Sequence, residues 1–141
     1  MRETGIMAWS EVVLRHYREL PGAGLPAGAC SGEAGRVAEG RRVVIGLTVD
    51  AERIVDAGFL AFGCPATLAA AAWLSQWLPG RGLDEVRGLR GLEIAEALAL
   101  PAERLSAALV VEDALRAALA CFGEPPTAAY TGEYQPTDGG R

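Results

Sequence analysis

Apolar and polar positions along this chain follow two periods, and the change of period divides it. Between Arg42 and Val49 the alternation has a period of two. Val43, Ile45, Leu47 and Val49 fall on one face, and Val44, Gly46 and Thr48 on the other, which predicts a half-buried strand. Asp50-Ala51-Glu52-Arg53 reads as a tight turn and Ile54 to Phe62 as a second strand, so the two predict a hairpin. A shorter strand is expected around Ala34 to Val37. Elsewhere the period is helical. Val12, Val13, Tyr17 and Leu20 recur at helical spacing within Ala8 to Leu20, and Ser10-Glu11 supplies a start. Pro65 suits a first helical position, and the alanine-rich run Ala66 to Leu78 continues until Pro79-Gly80 stops it. Short helices are expected over Leu83 to Leu89 and Glu93 to Leu98. A last helix runs from Pro101 to about Phe122, with Leu105, Leu109, Leu115 and Leu119 on its inner face beside Ala108 and Ala118. Residues 21–32 read as a glycine- and proline-rich loop, and residues 123–141 as a disordered tail. Strands early and helices late predict an α+β fold. Its small antiparallel sheet, of about three strands, is covered by helices within one domain, residues 1–122.

Composition narrows the functions open to such a domain. A chain of 141 residues supports one core, not two. Ala57 to Gly80 carries no charge and is long enough to span a bilayer, but Gly63 and Pro65 interrupt it. A strand running into a buried helix is the better reading, and no membrane partner is expected. The net charge is −5 and no basic block occurs, which argues against a nucleic-acid partner. Every basic residue is arginine, so a lysine Schiff base and a phosphate-loop lysine are excluded. The one histidine, His16, excludes a multi-histidine metal site within one chain. The first twenty residues hold no apolar signal core, so a cytoplasmic protein with reduced thiols is expected.

Among the residues that can carry chemistry, Cys64 leads. It stands in Phe62-Gly63-Cys64-Pro65, where a strand ends and a helix begins. A helix N-terminus turns unpaired N–H groups toward the sulfur and favours the thiolate, the form that binds soft metals and accepts sulfur. Cys30, in the glycine-rich loop, is a second candidate if the fold brings it to Cys64. Cys121, at the end of the last helix, reads as a core or incidental residue. Glu112 and Asp113 are adjacent and point about 100° apart on a helix, so they are no paired acid/base site. One is expected in solvent and the other bonded to a neighbouring segment. Trp9, Trp73 and Trp77 read as packing, the last two sharing a helix face.

The order of these segments resembles the IscU/NifU N-terminal family of iron–sulfur cluster assembly scaffolds over roughly residues 11 to 122. The resemblance rests on Val12-Val13-Leu14-Arg15-His16-Tyr17, on Ile54-Val55-Asp56-Ala57-Gly58-Phe59 leading to Phe62-Gly63-Cys64, and on Gly80-Arg81-Gly82-Leu83-Asp84-Glu85. It continues through Ile94-Ala95-Glu96-Ala97-Leu98, Leu100-Pro101 and Glu112-Asp113-Ala114-Leu115. It implies a compact α+β fold with a three-stranded sheet, and a [2Fe–2S] cluster built on three cysteines helped by an aspartate and a histidine. The implied partner is a cysteine desulfurase or another cluster-assembly protein.

Residue by residue, this chain keeps little of that implied site. Cys64 matches the second family cysteine. The first falls on Ala38 and the assisting aspartate on Gly40. The histidine and the third cysteine fall on Ser106 and Ala107, and the chaperone-recognition stretch reads Leu100-Pro101-Ala102-Glu103-Arg104. A gapped alignment puts Cys30 in the first cysteine's place. A [2Fe–2S] cluster needs four ligands, normally thiolates, so one chain cannot hold it on Cys64 alone. The expectation is therefore a divergent scaffold, not a turnover enzyme, that carries a cluster or sulfur through Cys64, its candidate iron ligand. The cluster would be shared in a homodimer or completed by external thiols. The alternatives are a persulfide on Cys64 with no cluster, and a pseudo-scaffold that docks on assembly partners without holding one.

Overall fold

The computed structural model describes residues 10–20 and 23–122. The expected tail and Trp9 lie outside the described residues, as does the side chain of His16. Helix α1 spans Glu11–Glu19. Three strands follow: β1 over Cys30–Arg36, β2 over Arg41–Asp50 and β3 over Arg53–Phe62. Four helices complete the domain: α2 over Pro65–Trp77, α3 over Leu83–Arg87, α4 over Gly91–Leu98 and α5 over Leu105–Leu119. The strands form one antiparallel sheet in the order β1-β2-β3. The expected α+β class and strand number are therefore those observed. No helix among the described residues is long and apolar enough to cross a membrane. The uncharged run from Ala57 to Gly80 divides instead between β3 and α2.

The alternation of β2 dictates which face is covered. Val43, Ile45 and Leu47 are fully buried, and on β3 Ala57 and Phe59 continue the same face. Onto it pack α2 and α5. Both helices present mainly alanine, valine and leucine: Ala69, Ala70, Ala72 and Leu74 from α2, and Ala108, Val111, Ala114, Leu115 and Ala118 from α5. Small side chains let helix axes approach a sheet closely, so many short apolar contacts replace a few long ones. The β2–β3 turn places Ala51 and Glu52 at positive φ, 52° and 64°. Its own strain is offset by neighbours: Glu52 C=O accepts the Leu83 N–H at 2.9 Å. The open edge of β3 is bonded as well, Ile54 to Arg81 and Gly80, and Phe59 to Gly24. That edge is thus protected from pairing with another chain.

Strand β1 begins at Cys30, within the segment expected to be loop, and ends at Arg36, one residue short of the expected strand end. Its sequence, Cys-Ser-Gly-Glu-Ala-Gly-Arg, lacks the alternation that marks a strand. The reason is α5, which lies directly on it. A Cβ on Gly32 would collide with the backbone of Ala117 and Ala118, so only glycine fits this crossing.

The last helix also departs from expectation. Residues 102–104 form a 3₁₀ turn, and α5 starts only at Leu105. Its buried stripe runs through Ala107, Ala108, Val111, Ala114, Leu115, Ala118 and Leu119, and Leu109 is 44% exposed. Leu109 was expected inside; it leans over the start of α4 instead, beside Gly91. Glu112 and Asp113 behave as expected. Asp113 is exposed. Glu112 accepts the Gly91 N–H at 2.7 Å, satisfying a free donor at the start of α4, and pairs with Arg116 at 2.8 Å. Arg116 in turn donates to the carbonyls of Arg87 and Leu89. Trp73 and Trp77 stack with centroids 5.9 Å apart, and the Arg81 guanidinium lies 4.0 Å over Trp77.

Two stability outcomes follow. Gly32→Ala should lower the urea midpoint by the equivalent of about 1–3 kcal/mol, because helix backbone cannot yield as a side chain does. An unchanged midpoint would show that α5 does not sit on β1 as described. Glu112→Ala should cost about 1–3 kcal/mol by leaving the Gly91 N–H unpaired, whereas Asp113→Ala should stay within about 0.5 kcal/mol of the parent in the same titration.

Candidate functional site

The register of the sheet decides which residues share an end. Arg36 faces Arg41, and Arg42 faces both Gly35 and Phe62. The β1–β2 turn, residues 37–40, and the exit of β3 at Phe62-Gly63-Cys64 therefore lie at the same end. Val110 of α5 touches the Gly35 position, which directs the first turn of α5, residues 105–107, toward this end as well. Cys64 stands among these three pieces. The positions that the family resemblance assigns to cluster donors, 38, 40, 64, 106 and 107, are gathered on one side of the fold. Their side chains are a methyl, a hydrogen, a thiol, a hydroxyl and a methyl.

The turn at Cys64 is forced by its neighbours. Gly63 has a φ of 155°, and a Cβ there would meet Thr67 Cβ at 3.0 Å. Glycine lets the strand reverse into α2 with no intervening loop. Cys64 becomes the N-cap of α2 and Pro65 its first residue. The free N–H groups of the first helical turn then face the sulfur. Thr67, one turn on, is 1% exposed, and its Oγ1 lies 3.6 Å from Cys64 Sγ.

The thiol is tuned by opposing effects. Burial pushes it up. The Thr67 hydroxyl, the backbone N–H groups of Thr67 and Ala66, and the charge of Arg104 together outweigh burial, so the thiol lies below its ordinary value. Cys64 is half-buried and free, and thus remains open to attack on a partner sulfur. Val37 and Phe62 are more than half exposed beside it.

The second thiol candidate is not here. Cys30 pairs with Leu47 across the sheet, five residues along β2 from the Arg42 row. At about 3.3 Å per residue, that places it about 17 Å away along the strands. It is bonded instead to Cys121 in a disulfide. Cys30 as a companion ligand of Cys64 is therefore corrected. The antiparallel register, invisible in the spacing of cysteines, carries the start of β1 to the far end of the sheet. Of the two places expected for Cys121, core or incidental, its exposure excludes the core. Among the described residues, no group of three or more His, Cys, Asp or Glu could hold a metal ion.

Two contributors escape a reading of the sequence alone. Thr67 carried a signal: it is the third helical residue after an N-cap, where a capping side chain finds its partners. Arg104 carried none, because only the tertiary fold brings residues 102–104 to the start of α2.

Known proteins resemble this chain in sequence and in fold. The sequence matches the family described as NifU-like N terminal domain over residues 8–128. It is 33% identical over 121 residues to the iron–sulfur cluster assembly scaffold protein IscU of Escherichia coli K12, covering 82% of this chain and 94% of that protein. The IscU scaffold of Rickettsia prowazekii is 32% identical over 128 residues, covering 82% and 92%. Among solved structures, a protein of Fervidobacterium islandicum AW-1, provisionally assigned as a cluster assembly scaffold of the SUF system, superposes with a TM-score of 0.66. It is 17% identical and covers 82% of this chain and 99% of its own. The N-terminal part of a NifU-like protein from Brucella abortus superposes with a TM-score of 0.58 at 15% identity, covering 80% and 90%.

The role of Thr67 is open to direct test. Thr67→Val should raise the midpoint of the pH profile for Cys64 alkylation and slow alkylation near neutral pH about fivefold, the worth of a hydrogen bond of ~1 kcal/mol. Thr67→Ser should restore the parent profile. An unchanged profile in the valine variant would remove Thr67 from the site.

Proposed function

The chain belongs to the NifU-like N-terminal domain family, and we propose that it works in iron–sulfur cluster assembly as a scaffold-type carrier whose atom of exchange is the Cys64 sulfur. The observation that carries this reading is the placement of one free, half-exposed thiol at the N-cap of α2, held toward its thiolate by Thr67, the helix N–H groups and Arg104. The family supplies the scaffold role, and the residues at this end of the sheet decide what the scaffold can hold.

An iron–sulfur cluster, as cargo, does not fit one chain. It needs four donors, normally thiolates. The gathered positions offer one thiol, one hydroxyl and three groups without donor atoms, Ala38, Gly40 and Ala107. A sulfane sulfur makes a smaller demand. The Cys64 thiolate attacks the terminal sulfur of a persulfide on a donor such as a cysteine desulfurase. A Cys64–sulfur bond forms, the donor's sulfur–sulfur bond breaks, and the donor leaves as a thiolate while the terminal proton travels with the transferred sulfur. Oxidation state is conserved, so no further reductant enters. The Arg104 charge favours both the attacking thiolate and the anionic persulfide it becomes. We read the protein as a carrier in the cytoplasm rather than a turnover enzyme, with a cluster-assembly protein as its partner.

A second reading has its own observation. Val37 and Phe62 are apolar and exposed beside Cys64. Two chains meeting there would bring two Cys64 thiolates together, and small thiols could complete a shared [2Fe–2S] cargo.

Incubation of the chain with cysteine persulfide, followed by cyanolysis, should count about one sulfane sulfur per chain. Cys64→Ser should carry none. Equal loading of the two proteins would overturn the assignment of Cys64.

A further inference from the structure

The bond between Cys30 and Cys121 lies away from the Cys64 site and plays no part in sulfur exchange there. It joins the first residue of β1 to the 3₁₀ turn after α5, across 91 residues of sequence and a Cα–Cα distance of 6.3 Å. We propose that this disulfide is a reversible clasp, closed by low-molecular-weight disulfides and opened by low-molecular-weight thiols, that fixes β1 against α5.

Access comes first. Cys121 is exposed and Cys30 half-buried, so an attacking thiolate can reach the bond from solvent. A structural staple inside a core would be shielded from such attack.

The seam it closes comes second. Strand β1 is an edge strand, hydrogen-bonded only to β2. Ala34 is its one aliphatic side chain, and that is only half-buried. Its contact with α5 is made by Gly32 against Ala117 and Ala118 and by Gly35 against Val110. Strand β1 is packed closely against α5, but glycine and alanine bury little apolar area per residue, so this close packing contributes less than larger side chains would. A covalent tie across a long loop is typically worth about 2–4 kcal/mol. The clasp thus adds a covalent hold to the ladder with β2 and the packing on α5.

Its chemistry balances with an oxidant of one class. The Cys121 thiolate attacks glutathione disulfide, forms a mixed disulfide and releases one glutathione thiolate. The Cys30 thiolate then attacks the Cys121 sulfur and releases the second. The protein loses two electrons, the oxidant gains two, and the two cysteine protons pass to the released thiolates. Opening is the reverse. Cys64, at the other end of the sheet, can resolve neither step, so the nucleophile survives in both states. Where Cys64 works as proposed above, the clasp also governs how firmly its wall is held, because residues 37–40 and 105–107 are the opposite ends of the same two elements.

The test equilibrates the full chain anaerobically over a range of glutathione to glutathione-disulfide ratios, then quenches with a maleimide and counts modified cysteines by mass. As the buffer becomes oxidising, Cys30 and Cys121 should lose their thiols together and gain no glutathione mass, whereas Cys64, which has no neighbouring thiol, can leave the thiol form only by gaining one glutathione. Amides of residues 30–36 and 117–122 should exchange with deuterium about tenfold faster in the open state, with β2 unchanged; Cys30→Ser should match the open state. Three modified cysteines at the most oxidising ratio, one at the most reducing, or equal exchange in both states would each overturn the clasp.

Discussion

The turn at Gly63-Cys64 is the constraint on which the rest of this structure depends. The chain leaves β3 and must lie back across the covered face of the same sheet. It does so without a loop, because Gly63 adopts a φ of 155° and Pro65 already has a helical φ. The consequence for packing is that α2 lies against β3 and β2 and shares one buried core with Val43, Ile45 and Phe59. The consequence for chemistry is that whatever side chain sits at residue 64 receives the unpaired N–H groups of a buried helix. Here it is a thiol. The core and the nucleophile therefore arise from one backbone feature, and a change that relaxes the turn disturbs both.

What was legible in the sequence was what side-chain periodicity or turn chemistry encodes. The strands β2 and β3, their hairpin and the start of α2 follow from the alternation around Ile45 and from Gly63 and Pro65. The split roles of Glu112 and Asp113 follow from their 100° separation. Strand β1 was legible only at its end, because its residues are chosen to fit beneath α5: Gly32 is there to admit a helix backbone, and that requirement erases the usual pattern. Leu109 was misplaced because it lies six residues before Leu115, which at about 100° per residue turns it about 120° away from the buried stripe through Val111, Leu115 and Ala118. At the site, Cys64 could be named from its four-residue context. Arg104 could not, since its distance from Cys64 in sequence is closed only by tertiary packing. Cys30 failed for the converse reason: proximity in a gapped alignment says nothing of which end of a sheet a residue occupies.

The family's fold is kept here without the donor set that the resemblance implies. The positions to which the resemblance assigns donors, 38, 40, 106 and 107, lie toward the Cys64 end of the sheet and carry no thiol, carboxylate or imidazole. Ala107 is buried and Ser106 exposed, so the surroundings have settled around small groups. What remains favours a single anionic sulfur: a buried hydroxyl at Thr67, a helix N-terminus and a guanidinium. These groups stabilise a thiolate or persulfide without iron. The remaining two cysteines stand at the far end, joined to each other, where they can hold the edge of the sheet but cannot complete a site.

The central claim is that one chain offers one sulfur and no cluster-holding set. Its most direct test is the anaerobic addition of ferrous iron and sulfide, in the presence of a small thiol, with iron, acid-labile sulfide and molar mass measured on the same sample. The account predicts that the monomer retains no stoichiometric cluster, and that any cluster retained is found on a dimer at about half a cluster per chain and is lost in Cys64→Ser. A stable, stoichiometric cluster on the monomer would contradict it.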